Sequence, residues 1–159
     1  MKKLFITAAI TLAASGLFAQ STYKEDVDAI QAVFGKEKKE LVASLITLTP
    51  EQSAKFWPVY DQYEVERKQI GKERIDLINE VAMAFKEMTP EKADAVTKKS
   101  MAISIKNDKL LEKYYNAMKK AVGSETAMEF YQAELYLLTE IKAALMEEIP
   151  LYSEVKRIR

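Results

Sequence analysis

The stretch that decides the fold is Leu48-Thr49-Pro50-Glu51-Gln52. Thr49 suits the N-cap of an α-helix, and Pro50 suits the first helical position, whose N–H has no intrahelical partner. Glu51 lies at the positive end of the helix dipole, and Gln52 can complete a capping box by accepting a hydrogen bond from the N-cap N–H. The pattern predicts that a helix begins here.

The same start signal recurs at Met88-Thr89-Pro90-Glu91-Lys92, with Lys in the place of Gln. A second helix is therefore predicted to begin at Thr89 and Pro90 with a less complete cap. No stop signal separates the two starts. The first of these helices is thus expected to run about 37 residues, or about 55 Å at the usual rise per residue.

The long helix carries a proline and a seven-residue repeat. Pro58 lies beyond the first turn and removes a backbone hydrogen bond, so a kink is predicted there. The aromatic residues around it are Phe56, Trp57, Tyr60 and Tyr63. Two adjacent seams continue along the helix, one with Tyr63, Ile70, Leu77 and Ala84, the other with Tyr60, Arg67, Arg74 and Val81.

Besides the long helix, apolar spacing and end signals predict three helices, one of which is the helix after Thr89. One of about twenty residues is predicted from Lys24 to Leu45. The helix after Thr89 is expected to end at Gly123, and Ser124 to cap a last helix that ends at Pro150. The apolar stripe of that last helix is predicted as Ala127, Phe130, Tyr131, Leu135, Leu138, Ile141, Ala144 and Leu145.

These elements predict an all-α fold, because Gly and Pro number only four each and leave little material for the turns of a β-protein. Short connections make consecutive helices antiparallel neighbours. We expect an elongated four-helix antiparallel hairpin assembly with one long kinked helix. A homodimer is expected as well, since one chain offers limited cover for so long an apolar stripe.

The first nineteen residues have the pattern of a secretory signal peptide. A basic start is followed by the apolar run Leu4 to Phe18, and cleavage is expected after Ala19. The run is too short for a bilayer span, so no stable membrane anchor is expected. The remaining residues, 20–159, form a single predicted helical domain, and the expected location is the periplasm.

Composition excludes much chemistry. The chain has no His and no Cys, so imidazole bases, thiolates, disulfides and the usual zinc sites are excluded. Removal of Lys2 and Lys3 with the signal peptide leaves 22 basic and 24 acidic residues, too balanced to suggest nucleic acid as a partner. We expect no enzyme activity, no cofactor and no metal. An enzyme that uses carboxylates, Tyr and Lys ranks third among the functions considered.

The motif Leu48-Thr49-Pro50-Glu51-Gln52, after a signal peptide and at the start of a long helix, resembles the LTxxQ repeat of the Spy/CpxP family of periplasmic stress proteins. Thr89, Pro90 and Glu91 stand where a second copy is expected. The stretch Lys55 to Tyr60 and the group Phe130-Tyr131-Gln132 look more like a Bacteroidetes branch of that family. The resemblance covers roughly Leu45 to Pro150.

This resemblance implies an all-helical, often cradle-shaped dimer that binds unfolded or misfolded envelope proteins without ATP. It also implies an alternative role, as an accessory protein that binds one specific partner of an envelope-stress signalling system. Zinc-binding relatives use His, which this chain lacks, so zinc dependence is not carried over.

The candidate client-binding residues are Phe56, Trp57, Tyr60, Tyr63, Arg67 and Arg74. The aromatic members suit an adaptable binding surface, but their helical spacing is equally typical of a core, which is the commoner outcome. The arginines suit a basic groove for acidic client segments, or a solvated face paired with nearby glutamates. The two capping motifs are interpreted as structural first, since they satisfy helix N–H groups.

Overall fold

A computed structural model describes residues 37–148, and the predicted signal peptide, the region 20–36 and Pro150 lie outside them. The described chain is helical, with no strand between residues 37 and 148, which confirms the all-α class. The helices are α1 (37–45), α2 (Pro50–Ala84), α3 (Pro90–Val122) and α4 (Ser124–Glu148), and a short 3₁₀ turn at Phe85–Glu87 follows α2.

The predicted capping box forms at the start of α2. The Gln52 backbone N–H donates to the Thr49 hydroxyl over 3.2 Å, and the Gln52 side-chain oxygen accepts from the Thr49 N–H over 3.0 Å. Helical structure then continues to Glu87 if the 3₁₀ turn is included, one residue short of the predicted stop. Pro58 lies inside α2 with its ring exposed.

Helix α3 begins and ends as predicted. The Thr89 hydroxyl accepts from the Lys92 backbone N–H over 3.3 Å, without the reciprocal bond that a glutamine supplies in α2. Gly123 caps the other end with φ of 92°, a value that L side chains rarely adopt, and its N–H donates to the Lys119 carbonyl.

The start of α4 differs slightly from the prediction that Ser124 is its cap. Ser124 is already helical, and the Gly123 carbonyl accepts the first bond, from the Ala127 N–H, over 3.1 Å. One glycine therefore ends α3 and precedes α4. The turn between these helices is as short as a single residue, which holds them as neighbours.

Helices α2 and α3 form an antiparallel hairpin. Ion pairs join Glu66 to Lys113, Glu73 to Lys106 and Glu80 to Lys99, so each step of seven residues up α2 is matched by seven residues down α3. We call these three pairs the ion-pair ladder. They are substantially exposed and contribute little each, so the apolar seam between the helices supplies most of the stability.

Helix α4 lies along the first half of α2 and runs in the same direction. The Gln52 amide donates to the Thr126 hydroxyl over 3.1 Å, and further along the Tyr63 hydroxyl donates to Glu134 over 2.6 Å. Helix α1 joins this half of the structure through Lys38. Residues of α1, α2, α3 and α4 all contribute to the core.

The buried face of α4 agrees with the predicted stripe only in part, at Ala127 and Phe130. Ala127, Phe130, Ala133 and Leu137 are buried, whereas Tyr131 and Leu135 are 41% and 47% exposed. Helix α4 carries apolar residues on two faces, so its sequence alone does not determine which face its neighbours cover. The side chains of Ala144 and Leu145 lie outside the described part.

Candidate binding surfaces and a buried ionic cluster

Three of the predicted client-binding residues are in the core. Phe56 and Tyr60 are fully buried, and Tyr63 is 1% exposed. They surround Phe130 of α4, with ring centroids 5.3 to 6.3 Å from it and steep interplanar angles. Such edge-to-face contacts are favourable packing, so in this conformation the core alternative describes these three residues.

Trp57 differs from the other aromatic residues because it is only half-buried. Its ring packs edge-on against Phe56, with centroids 4.9 Å apart. On its outer side the Lys39 ammonium lies 5.2 Å from the ring centroid, and the same ammonium pairs with Asp61. Trp57 is thus the one aromatic of the predicted set that a partner can reach without opening the core.

The two predicted arginines have different environments. Arg67 is 8% exposed and binds both carboxylate oxygens of Glu64, over 2.7 and 3.0 Å. Arg74 is half-buried, and its buried Nη2 atom has no hydrogen-bond partner among the described residues. Burial lowers the pKa of Arg74. Neither arginine lies on a fully solvated face.

The residues of the two capping motifs act on the helices themselves. Thr49 and Gln52 close the capping box, and Gln52 adds the bond to Thr126 of α4. Thr89 caps α3. Pro50, Pro90, Glu51 and Glu91 lie in the first turns, where the last two complement the helix dipole. Leu48 packs against the core from its edge.

A buried ionic cluster lies next to the aromatic core. The Lys38 side chain, from α1, is fully buried and its ammonium lies 2.7 Å from Glu64 of α2. The same ammonium lies 2.5 and 2.7 Å from the two carboxylate oxygens of Glu134 of α4, whose side chain is also fully buried. With Arg67, the cluster holds two cations and two carboxylates and is neutral.

Two tyrosines complete the cluster. The Tyr60 hydroxyl accepts from Lys38 over 3.2 Å and donates to Glu134 over 3.3 Å, while Tyr63 donates to the other Glu134 oxygen. The Lys38 ammonium also lies 5.4 and 5.2 Å from the centroids of these two rings. Cation–π attraction is strongest at such desolvated sites.

The electrostatics of the cluster follow from its burial. Burial and the Glu134 carboxylate raise the pKa of Tyr60 and of Tyr63 well above the ordinary phenol value. Burial acts to raise the pKa of Glu64, but the Arg67 hydrogen bonds and the Lys38 charge outweigh it, so that pKa is lowered. Both tyrosines are therefore neutral and Glu64 is charged near neutral pH.

Sequence reasoning missed Lys38 and Glu134, and it assigned Glu64 to the glutamates of a solvated face, whereas Glu64 is 8% exposed. The signal for Glu134 is its spacing, since it follows Ala127 and Phe130 at the interval of the buried face and precedes Leu137. Lys38 likewise stands four residues before the buried Val42. A charged residue on an apolar face is uncommon without a partner, and here the partners come from other helices.

Helix α4 carries five of the eleven large apolar side chains that are exposed among the described residues. Met128, Tyr131 and Leu135 are 41% to 51% exposed and follow each other at helical spacing. Tyr131 packs edge-on against Tyr115 of α3, with centroids 6.2 Å apart. We call Met128, Tyr131 and Leu135, together with Tyr115 of α3, the α4 stripe. Its three members on α4 are exposed, whereas Phe130 and Ala133 of the same helix are buried.

A groove runs between α1 and α4 on another side. Leu45, Glu129, Gln132, Ala133 and Tyr136 line it, and its volume is about 210 Å³. Leu45 and Tyr136 are 44% and 50% exposed, and Leu41 of α1 is exposed as well. The groove thus has apolar walls and one carboxylate, and it has room for a side chain or two of a partner.

Some other kinds of site were not found between residues 37 and 148. No group of three or more acidic side chains is placed to hold a metal ion there. None of the described helices has the length and apolar character needed to cross a bilayer. Comparison with protein-family models, with curated proteins and with solved structures gave no match.

Proposed function

We propose that this protein is a periplasmic, ATP-independent chaperone-like protein that binds unfolded or misfolded envelope proteins under stress. The observation that carries the proposal is the α4 stripe, because contiguous exposed apolar residues typically mark a surface for another protein. Methionine and tyrosine suit varied partners, since the first is flexible and the second brings large contact area at small entropic cost.

The sequence supports the location and the family. The pattern of residues 1–19 is that of an export signal, and the LTxxQ-like motif resembles the Spy/CpxP proteins. The client surface is proposed on the α4 stripe, with Trp57 as an accessible aromatic on α2. A homodimer remains part of the proposal, and light scattering at micromolar concentration measures it directly.

An aggregation assay tests the chaperone function. A denatured client is diluted into buffer of low salt with increasing amounts of the protein, and light scattering is followed. We expect suppression at stoichiometric amounts. In the variant Tyr131→Ser/Leu135→Ser the suppression should fall several-fold, because the apolar contact area of the α4 stripe is reduced.

The matched control is Met83→Ser. Met83 is 79% exposed and lies near the end of α2, away from the α4 stripe. It should suppress aggregation as the wild type does. Unfolding curves establish that both variants are folded. Absence of suppression by the wild type would refute the chaperone function, and equal loss in both variants would refute the assignment to the α4 stripe.

The alternative is an accessory sensor protein that binds one specific envelope signalling partner. The groove between α1 and α4 favours this candidate, because it is small and combines apolar walls with the single carboxylate of Glu129. A pull-down from periplasm separates the two functions. A chaperone gives many weak partners, whereas a sensor gives one partner, whose binding the substitution Tyr136→Ser should weaken.

A further inference from the structure

We propose that the carboxylates of Glu64 and Glu134, with the rings of Tyr60 and Tyr63, form a binding site for a lysine ammonium. We call these four residues the ammonium cage. Its occupant in this conformation is Lys38 of α1, and the occupant that replaces it is a lysine on an amphipathic helix of a client. This inference rests on the proposed function and adds the chemical class of client segment.

The charge of the ammonium cage calls for one monovalent cation. Without Lys38, the charges of Glu64, Glu134 and Arg67 leave one net negative charge in a buried setting. The Glu134 side chain is fully buried, and its oxygens accept from Lys38 and from both tyrosine hydroxyls. An uncompensated buried carboxylate is strongly unfavourable, so an empty cage attracts a cation.

The shape of the ammonium cage selects a primary amine on a flexible stem. The ammonium has three N–H groups, and Glu64, Glu134 and Tyr60 all accept from it within 3.2 Å. The two rings lie beside it at 5.4 and 5.2 Å. A guanidinium is planar and larger, and it prefers a two-pronged carboxylate such as Glu64 already offers to Arg67.

Few side chains of α1 are buried among the described residues, and beside them Lys39 pairs with Asp61 and lies over Trp57 at the surface. The buried side chains of α1 are Lys38 and Val42, followed by Ile46 just after the helix, all on one line at intervals of four. Leu41 and Leu45 on the flanks remain exposed. Because so few side chains of α1 are buried among the described residues, each contact matters, and losing the ammonium contact favours release of the helix.

Release of α1 uncovers the surface that a client helix needs. Tyr60 of the ammonium cage is fully buried, and the fully buried Phe56 stacks next to it. A client helix with a lysine and apolar residues at intervals of four reproduces the pattern of Lys38, Val42 and Ile46. The sequence prediction of Tyr60 and Tyr63 as client-binding residues then applies to this opened conformation.

Chemical rescue tests the ammonium cage without any client. In the full-length mature chain, Lys38→Ala removes the atoms that n-propylammonium replaces. We expect propylammonium to raise the thermal unfolding midpoint of this variant by about 3 °C or more, and 1-propanol to raise it far less. The midpoint of the wild type should not rise. If Lys38→Ala is unfolded, recovery of helical ellipticity on adding propylammonium is the readout.

The control variant is Lys38→Ala/Glu134→Gln, in which the cage has lost a charge. Rescue by propylammonium should disappear there. Equal effects of propylammonium and propanol on Lys38→Ala would overturn the ammonium cage. Because this experiment contains no client, its failure is distinguishable from failure of the aggregation assay.

A labelled peptide tests the exchange of α1. The peptide has the sequence of residues 36–47 and is added to full-length protein while fluorescence anisotropy is measured. It should bind Lys38→Ala at least about tenfold more tightly than the wild type, whose own Lys38 competes. The same peptide with Lys38→Met should lose that affinity.

The peptide results have definite meanings. Equal binding of the two peptides to Lys38→Ala would show that the lysine is not recognised and would overturn the proposal. Rescue by propylammonium without peptide binding would overturn the exchange of α1 and with it the client lysine. If the lysine peptide binds Lys38→Ala tightly and the wild type weakly, the result supports both the ammonium cage and the exchange of α1.

Discussion

The ammonium of Lys38 lies 2.5 and 2.7 Å from the two carboxylate oxygens of Glu134, a residue 96 positions further along the chain. Both side chains are fully buried. The contact ties the first described helix to the last one. A buried ion pair gives little net stability, because desolvation offsets most of the attraction, but the loss of one partner is severe.

We therefore expect Lys38→Met to lower the free energy of unfolding by about 3–5 kcal/mol, because it leaves the buried carboxyl group of Glu134 without its cation. Urea unfolding at neutral pH measures this. The double variant Lys38→Met/Glu134→Gln should be more stable than the single variant, since it removes both charges.

The matched control for that prediction is Lys39→Met. Lys39 pairs with Asp61 at a distance of 2.5 Å, but the two side chains are 42% and 58% exposed. Its loss should lower the free energy of unfolding by less than about 1 kcal/mol. Similar losses for Lys38→Met and Lys39→Met would contradict the special cost of the buried pair.

Low pH should lower the free energy of unfolding through Glu64. Its folded-state pKa is below that of the unfolded chain, so charged Glu64 contributes stability above about pH 4.3, and the contribution is lost as the pH falls through the folded value. The free energy of unfolding should fall between about pH 5 and pH 3, and less steeply in Glu64→Gln. The exposed Glu112→Gln is the control and should follow the wild type.

High pH should lower the free energy of unfolding through Tyr60 and Tyr63. Their pKa values are raised in the folded state, so their stabilising contribution is present below about pH 10 and is lost as the pH rises further. Absorbance titration at neutral to alkaline pH measures tyrosine ionisation. In the folded protein, Tyr60→Phe/Tyr63→Phe should leave the early absorbance rise unchanged, whereas in urea the same variant should reduce it.

Tyr114 also has a raised pKa, and its effect on stability should be smaller than that of Tyr60 and Tyr63. Burial, with a hydrogen bond to Glu66, raises the pKa of Tyr114 to about 12. Its hydroxyl donates over 2.8 Å. We expect Tyr114→Phe to lower the free energy of unfolding by about 1 kcal/mol at neutral pH, as for a typical hydrogen bond. A loss above about 3 kcal/mol would indicate a further role.

The two helix caps should differ in strength. Gln52→Ala removes the reciprocal bond of the capping box and the bond to Thr126, so we expect a loss of about 1–2 kcal/mol. Lys92→Ala at the equivalent position of α3 removes no reciprocal cap bond and should cost less than about 0.5 kcal/mol. Chemical denaturation of both variants measures the difference, and equal values would contradict the assignment of the cap.

Neighbouring aromatics of α4 should behave differently. Phe130 is fully buried, and Phe130→Ala should cost about 3–5 kcal/mol. Tyr131 is 41% exposed, and Tyr131→Ala should cost about 1 kcal/mol or less while reducing client binding. Unfolding curves and the aggregation assay, run on the same samples, separate the two effects.

The helix starts were predictable because capping is local. Thr49 and Gln52 are three residues apart, and the bonds they form depend on no other part of the chain. The same holds for Thr89 and for Gly123, whose positive φ suits only a few residue types. These signals fixed the lengths of α2 and α3 and hence the hairpin.

The ionic cluster was not predictable because its members come from three helices. The spacing of Lys38 and Glu134 places them on buried faces, but no residue of the cluster indicates its partners by itself. Only the packing of α1 and α4 on α2 brings them together. The exposed face of α4 was missed for a related reason, since both faces are apolar and tertiary contacts decide between Phe130 and Tyr131.

The ion-pair ladder has an ambiguity built into its regular spacing. Because its rungs recur every seven residues on both helices, a slip of one heptad would still bring Glu73 opposite Lys113 and Glu80 opposite Lys106. Charge alone therefore admits more than one alignment of the hairpin. The ring centroids of Tyr63 and Tyr114 lie 5.4 Å apart, and no equivalent tyrosine pair exists one heptad away. This aromatic contact therefore selects one alignment of the two helices.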